Sequence, residues 1–462
     1  MRAPATDRGR LLLLGCLAAA VTLFTATVPL LRDWFDLRVY YGTVNTWMHH
    51  GGHVYDYRVP GTPYGFTYPP FAAVTMLPMA LVGLRTAIVA ALLLNLAALA
   101  VVVRLLAGPG RWRHGWYGVA LAACVLALYE PLRDTFSFGQ VNLLLLALVL
   151  TDAWLLASGR GRWAGVGIGL AAAVKLTPAV FIGLLLVARR RRAAAVATAV
   201  ALAATACAAL VAPGASRFYW TQALWDTSRV GRLGYVSNQS LQGVLARLGV
   251  DSKAVWAVLV LVVLGVWARR ARQAVGAGDW QAAFALTGAT ACLVSPVTWV
   301  HHLVWLLPSF AVLLRTGHAR VAGALYAVLC TSVVWLWFDD ASGVDGFLGS
   351  NTYTWVTLGL LLFLPVGQSP AERRPTSQSA SATTDPPSTA APAIAAACDQ
   401  PGRPAATATG TTAAERATDR AAGSATGPAA GLGRARSASS DPTGSTRPPA
   451  ANPQSSSSRA SS

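Results

Sequence analysis

Asp36 opens the stretch DLRVYYGTVNTWMHHGGHVYDY, directly after an apolar run that ends at Leu31. A carboxylate there could take the proton of an attacking hydroxyl, and tyrosine or tryptophan beside it could stack on a sugar face. The competing reading is a helix cap within an interfacial aromatic belt. Lys175, in KLTP, is an ammonium inside an apolar segment. Such a charge is costly and reads as functional by default, although it could also snorkel to the interface. Its chemistry would be that of a point charge for a phosphate. His301 and His302 close the motif SPVTWVHH; neighbours on a helix point about 100° apart, so the pair does not converge on one metal. Gln140 and Asn142 in FGQVN, with Asn238 and Gln239 in NQS, are neutral groups suited to hydroxyl recognition or to contacts between helices. Tyr40 and Tyr68 join them as candidate donor- or substrate-binding side chains.

The elements that must position these groups are membrane helices. At 54% hydrophobic and 12% charged residues, the chain is too apolar for a soluble globular protein. Uncharged runs near the roughly 20-residue spanning length recur throughout. The net charge of +18 sits in short clusters between them, at Arg111–Arg113, Arg160–Arg162, Arg189–Arg192, Arg269–Arg272 and Arg315–Arg320. Positive-inside topology accounts for such clusters better than nucleic acid does. The fold expected is an all-α polytopic bundle of about 10–12 transmembrane segments. They lie near 11–31, 85–106, 116–130, 138–158, 164–188, 193–212, 253–268, 280–297, 300–314, 318–338 and 352–366, with a half-length element at 70–83.

Alternation of sides fails once, at 164–188, where both flanks are arginine-rich. Lys175-Leu-Thr-Pro178 divides that segment into halves too short to cross, so a re-entrant hairpin is expected, with Lys175 at its tip. Both termini then lie inside, and every polar motif outside. The N-terminal run is expected to be an uncleaved signal anchor. Residues 1–367 form the expected membrane domain. From Gln368 the chain turns to Ser, Ala, Thr, Pro and Gly, the composition of a disordered cytoplasmic tail over 368–462. Five of the six cysteines fall in apolar runs, with no zinc-type spacing and no disulfide framework. Nucleotide-binding and hydrolase motifs are absent, and no soluble domain is large enough for a sugar nucleotide. An outward-facing enzyme of this kind would draw on a lipid-linked donor.

In the order Asp36, GGHVYDY, FTYPPF, FGQVN, AAAVKLTP, NQS and SPVTWVHHLVW, residues 11–366 resemble glycosyltransferase family 87. These are actinobacterial polyprenol-phosphate-mannose-dependent α-mannosyltransferases of the GT-C membrane architecture, with outer juxtamembrane helices. The resemblance implies inverting transfer of mannose from a polyprenyl phosphate to a hydroxyl of an envelope glycolipid or glycan at the outer face of the plasma membrane. It places Asp36, at the end of the first helix, as the catalytic carboxylate, with His301 or His302 assisting. Lys175, the NQS and GQVN amides and the tyrosines would bind the donor. A phosphate leaving group is largely ionised near neutral pH, so one base and nearby cations suffice, unlike the carboxylate pair of glycosidases. No cofactor and no metal are expected. The alternatives are transfer of arabinofuranose and transport of a lipid-linked sugar; the gathering of polar motifs on one face, without an inverted repeat, argues against transport.

Overall fold

The computed structural model describes residues 6–27, 33–107 and 115–367. The expected tail, Arg2 and the Arg111–Arg113 cluster lie outside the described residues. The helices are α1 (Asp7–Thr27), α2 (Phe35–His49), α3 (Pro70–Met76), α4 (Leu84–Ala107), α5 (Gly115–Leu128), α6 (Glu130–Phe138) and α7 (Asn142–Ala157). They continue as α8 (Val166–Val174), α9 (Val180–Val187), α10 (Arg191–Val211), α11 (Pro213–Thr221), α12 (Leu241–Arg247) and α13 (Lys253–Gly276). The last five are α14 (Trp280–Val294), α15 (Leu307–Arg315), α16 (Ala319–Cys330), α17 (Gly343–Ser350) and α18 (Thr352–Phe363). Among the described residues the only extended pairing is an isolated bridge, Arg58 with Gly65. The protein is an all-α polytopic membrane protein.

Three helices, α4, α10 and α13, are long and apolar enough to cross a membrane, or four if the bent pair α6–α7 makes one span. α1, at 21 residues, covers most of the expected run at 11–31, and most other expected segments form shorter apolar helices, several continued by 3₁₀ turns such as Leu77–Leu81, Val300–Leu306 and Val333–Trp337. The expected run at 138–158 starts earlier than its apolar residues do. The extra helix α6 precedes α7 at a 118° bend. Gly139 makes this bend: it sits at φ 70°, and a Cβ there would lie 2.6 Å from that of Leu37. Only glycine combines that backbone with so close an approach.

The hairpin at 164–188 takes the expected form. α8 and α9 are separated at Lys175–Leu176. A Cβ on Gly165, at the start of α8, would collide with the Ala193 carbonyl at the start of α10. α9 leads into that same end of α10 through Ala188–Arg190. Both flanks of the segment therefore meet at one end of the bundle, and Lys175 lies at the other.

α14 is the axis of the molecule. Thirteen of its 15 residues are buried, most of them Ala, Gly or Thr. Small side chains all round a helix let neighbours approach on every side, and here α7, α9, α13, α15 and α18 do so. Its two ends differ in kind. Asp279 caps the N-terminal end, accepting from the Ala282 N–H at 3.0 Å and pairing with Arg315 at 2.5 Å. Arg190 lies over the Trp280 ring there, and Arg270 donates to the Leu361, Leu362 and Leu364 carbonyls. The C-terminal end, about 22 Å away at 1.5 Å per residue, runs into Ser295-Pro296 and the polar motifs.

Candidate active site

Five of the predicted motifs converge at this second end of the bundle, on one cavity of about 980 Å³. Asp36 lies in the first turn of α2, which is not one of the spans, rather than at the end of the first helix. The chain enters α2 through Asp33 and Trp34, both in the left-handed region, and the Trp34 N–H donates to the Ser137 carbonyl at 3.0 Å. That bond ties the start of α2 to the end of α6, so Asp36 and Gln140 are positioned by the same corner.

Around Asp36 the hydrogen bonds share one direction. Tyr40 donates to the Tyr68 hydroxyl at 3.0 Å, Tyr68 to Gln140 Oε1 at 2.9 Å, and Gln140 Nε2 to Asp36 Oδ2 at 2.6 Å. Each donor polarises the next, which favours negative charge at the carboxylate. The other oxygen, Oδ1, receives no hydrogen bond from the described residues, and Asp36 lines the cavity. Burial pushes the Asp36 carboxyl up to about 6, against the opposing pull of the Gln140 amide and the Lys175 charge.

Lys175 reaches the same network from the hairpin tip. Its Nζ donates to Tyr68 Oη at 3.2 Å and Asn142 Oδ1 at 3.0 Å, lies 2.8 Å from His302 Nε2, and stands over the Tyr68 ring. His302 Nδ1 accepts the Trp299 N–H at 3.1 Å. Both ring nitrogens of His302 thus face N–H groups, and a neutral imidazole accepts at only one of them. The lysine–histidine contact is therefore the easiest of the three for an anion to displace. His301 is buried against the Phe138 ring and also lines the cavity. Asn142 Nδ2 and Thr135 Oγ1 donate to its carbonyl, at 3.4 and 3.2 Å.

Asn238 and Gln239 were expected to line the donor pocket, but their amides are committed elsewhere. Asn238 donates to the Leu233 and Pro296 carbonyls at 2.9 and 3.2 Å and accepts from the Thr298 N–H at 2.9 Å. Gln239 donates to the Val236 and Ser350 carbonyls and accepts from Thr354. Both are fully buried, and neither lines the cavity, although the adjacent Ser237 does. They clamp the SPVT segment that delivers the histidines. The sequence could not separate these amides from Gln140 and Asn142, because all four share one chemistry.

Sequence reasoning passed over Glu130, which is buried and accepts from Trp335 Nε1 at 2.7 Å and from the Tyr353 hydroxyl. Its signal was available: a carboxylate between two apolar runs. Among the described residues no three His, Cys, Asp or Glu side chains gather closely enough to hold a metal ion. The five cysteines within the described residues are free thiols.

Fold and site together define a helical membrane protein with a carboxylate and an ammonium facing one cavity at one end of its bundle. Residues 66–296 match the model of glycosyltransferase family 87, and the chain belongs to that family. The matched region includes Lys175 and the four amides; Asp36 lies before it and the histidines after it. A polyprenol-phosphate-mannose-dependent α-(1-2)-phosphatidylinositol mannoside mannosyltransferase of Mycobacterium tuberculosis is 31% identical over 322 residues, 66% of this chain and 72% of the relative. A polyprenol-phosphate-mannose-dependent α-(1-2)-phosphatidylinositol pentamannoside mannosyltransferase of the same species is 35% identical over 346 residues, 71% of this chain and 79% of that one. A pentamannoside mannosyltransferase of Mycolicibacterium smegmatis is 36% identical over 316 residues, 65% and 74% of the two chains. No solved structure gives a significant match. The protein is thus a membrane glycosyltransferase.

Proposed function

We propose that the protein moves mannose, with inversion, from a β-linked polyprenyl-phosphate donor to a hydroxyl of an envelope glycolipid or glycan, forming an α-mannoside at the outer face of the membrane. The observation that carries this reading is the directed hydrogen-bond chain ending at Asp36 with Lys175 beside it. The relatives' dependence on polyprenol-phosphate-mannose supports the donor. Charge supports the face: Arg190, Arg270 and Arg315 gather at the Trp280 end of α14, opposite the site. Basic clusters mark the cytoplasmic side.

In this reading the acceptor hydroxyl binds at Asp36 Oδ1 and gives up its proton there as its oxygen attacks C1 of the sugar. The bond from C1 to the phosphate oxygen breaks on the opposite face, and polyprenyl phosphate leaves with the electron pair. Lys175 is placed for that developing charge, exchanging its His302 contact for a phosphate oxygen while Tyr68 and Asn142 hold its direction. A fixed cation aimed at the leaving group stabilises the transition state more than the ground state. His301 and His302 shape the site beside it. The amides of Asn238 and Gln239 act through position, and no metal is required.

The test uses purified protein with polyprenyl-phosphate-mannose and a panel of lipid and oligosaccharide acceptors, beside an Asp36→Asn control. Transfer by the wild type alone is expected. Transfer only from polyprenyl-phosphate-arabinose would change the sugar, and turnover by the control would remove Asp36 as the base.

A further inference from the structure

The cavity has a second wall that this chemistry leaves unused. Tyr235, Trp299 and Trp335 line it. Tyr235 meets Trp299 at 6.1 Å and 82°, Trp335 at 5.9 Å and 77°, and Phe338 at 5.6 Å and 84°. Edge-to-face packing of this kind holds rings at fixed angles. Glu130 fixes the outermost of them. A fully buried carboxylate is costly unless bonded, and its partners include the Trp335 indole and the Tyr353 hydroxyl. The wall is therefore built in advance and lines the cavity with rings rather than flexible chains.

Beyond the wall lies another space. A second cavity of about 640 Å³ shares Tyr64, Gly231 and Arg232 with the first. Its lining adds hydrogen-bonding groups, among them Ser228, Gln242 and Asp251. Gly231 stands between the two at φ +142°, where a Cβ would come within 3.0 Å of the Trp299 ring.

Resting on the function proposed above, we infer that the Tyr235–Trp299–Trp335 wall is the acceptor subsite, stacking the sugar that bears the attacking hydroxyl. The second cavity, with its Ser228, Gln242 and Asp251 groups, takes the preceding sugars of the same acceptor, so the preferred acceptor is a glycan of more than one residue. The flat apolar face of a pyranose matches an aromatic ring, and its hydroxyls match the Ser, Gln and Asp groups beyond Gly231. A polyprenyl chain has a better place in the same cavity. Leu176 in the hairpin break and Val180 of α9, with Ala291 and Val294 of α14, give the cavity an aliphatic lining near Lys175, where the phosphate end of the donor belongs.

Initial rates on the full-length protein, with polyprenyl-phosphate-mannose as donor, test this. The acceptors are methyl α-mannoside and a linear α-mannotriose. Trp335→Ala should raise the acceptor KM roughly tenfold or more and leave the donor KM in place, and Trp335→Phe should recover part of the loss. Glu130→Gln keeps an acceptor for the indole and a donor for Tyr353, so it should resemble the wild type where Glu130→Ala does not. Gln242→Ala should lower the ratio of kcat/KM for mannotriose over methyl mannoside. A rise in donor KM instead would give the wall to the polyprenyl chain, and unchanged constants for every variant would overturn the proposal. If the wild type transfers no mannose, the function proposed above falls. The subsite then stands or falls on whether mannotriose quenches tryptophan fluorescence of the Asp36→Asn protein and fails to do so after Trp335→Phe is added.

Discussion

Two pairs of amides in this protein, Gln140 with Asn142 and Asn238 with Gln239, are alike in composition and opposite in use. Gln140 and Asn142 spend their oxygens on Tyr68 and Lys175 and their nitrogens on Asp36 and the His301 carbonyl, so each links a reactive side chain to its scaffold. Asn238 and Gln239 bind mainly main-chain groups from segments far apart in the chain, at Pro296, Thr298, Ser350 and Thr354. A side-chain partner leaves room for exchange when substrate arrives; a main-chain partner does not. The first pair can therefore tune chemistry, and the second can only hold geometry.

The sharpest test of the first region is Asp36→Asn. The new amide still offers an oxygen to Gln140 Nε2, so the corner between α2 and α6 should survive. Loss of the base should lower kcat by about 10²–10⁴-fold, with expression and donor binding kept. Lys175→Ala comes next. It removes a charged donor from the leaving-group side, and hydrogen bonds to charged groups are worth about 1.5–3 kcal/mol. The donor KM, or the affinity of an unreactive polyprenyl phosphate in a binding assay, should weaken roughly tenfold to a hundredfold. Unchanged donor affinity would make this lysine a structural one and erase the distinction drawn here.

The clamp should fail differently. Asn238→Ala strands the Leu233 carbonyl and the Thr298 N–H and leaves the Pro296 carbonyl to Ser240 Oγ alone, and unpaired buried groups cost about 1–3 kcal/mol each before relaxation. Thermal stability should fall, and kcat should fall with it as the histidine segment loosens, with the donor KM moving least. A selective rise in donor KM would restore Asn238 to the donor pocket, as the sequence first suggested.

That contrast marks how far the sequence can be read. Helix positions were legible because apolar runs and arginine clusters are local signals, and even the hairpin around Lys175 followed from charge balance across 164–188. Asp36, Lys175 and His302 were legible because ionisable groups in an apolar chain are few. What could not be read was partnership. Whether an Asn faces a lysine or a proline carbonyl depends on packing between residues such as Asn238 and Pro296, 58 positions apart. The bend at Gly139 was hidden for a related reason: its need for glycine comes from Leu37, about a hundred residues earlier.

The smallest effect discriminates most finely, because it asks whether Gln140 tunes Asp36 or merely touches it. The carboxyl stands at about 6 because burial outweighs the Gln140 bond and the Lys175 charge. A base must be ionised to work, so log kcat/KM should be flat at neutral pH and fall with unit slope below about 6. An ordinary carboxylate would hold its activity down to about 4. Gln140 donates to the charged form and so lowers the value. Gln140→Leu removes that bond while keeping the bulk, and should move the acid limb to higher pH, leaving the plateau rate less affected than in Asp36→Asn. The clamp variant Asn238→Ala should lower the plateau without moving the limb. A limb that shifts equally in both variants would mean that the two amide pairs differ in place but not in work.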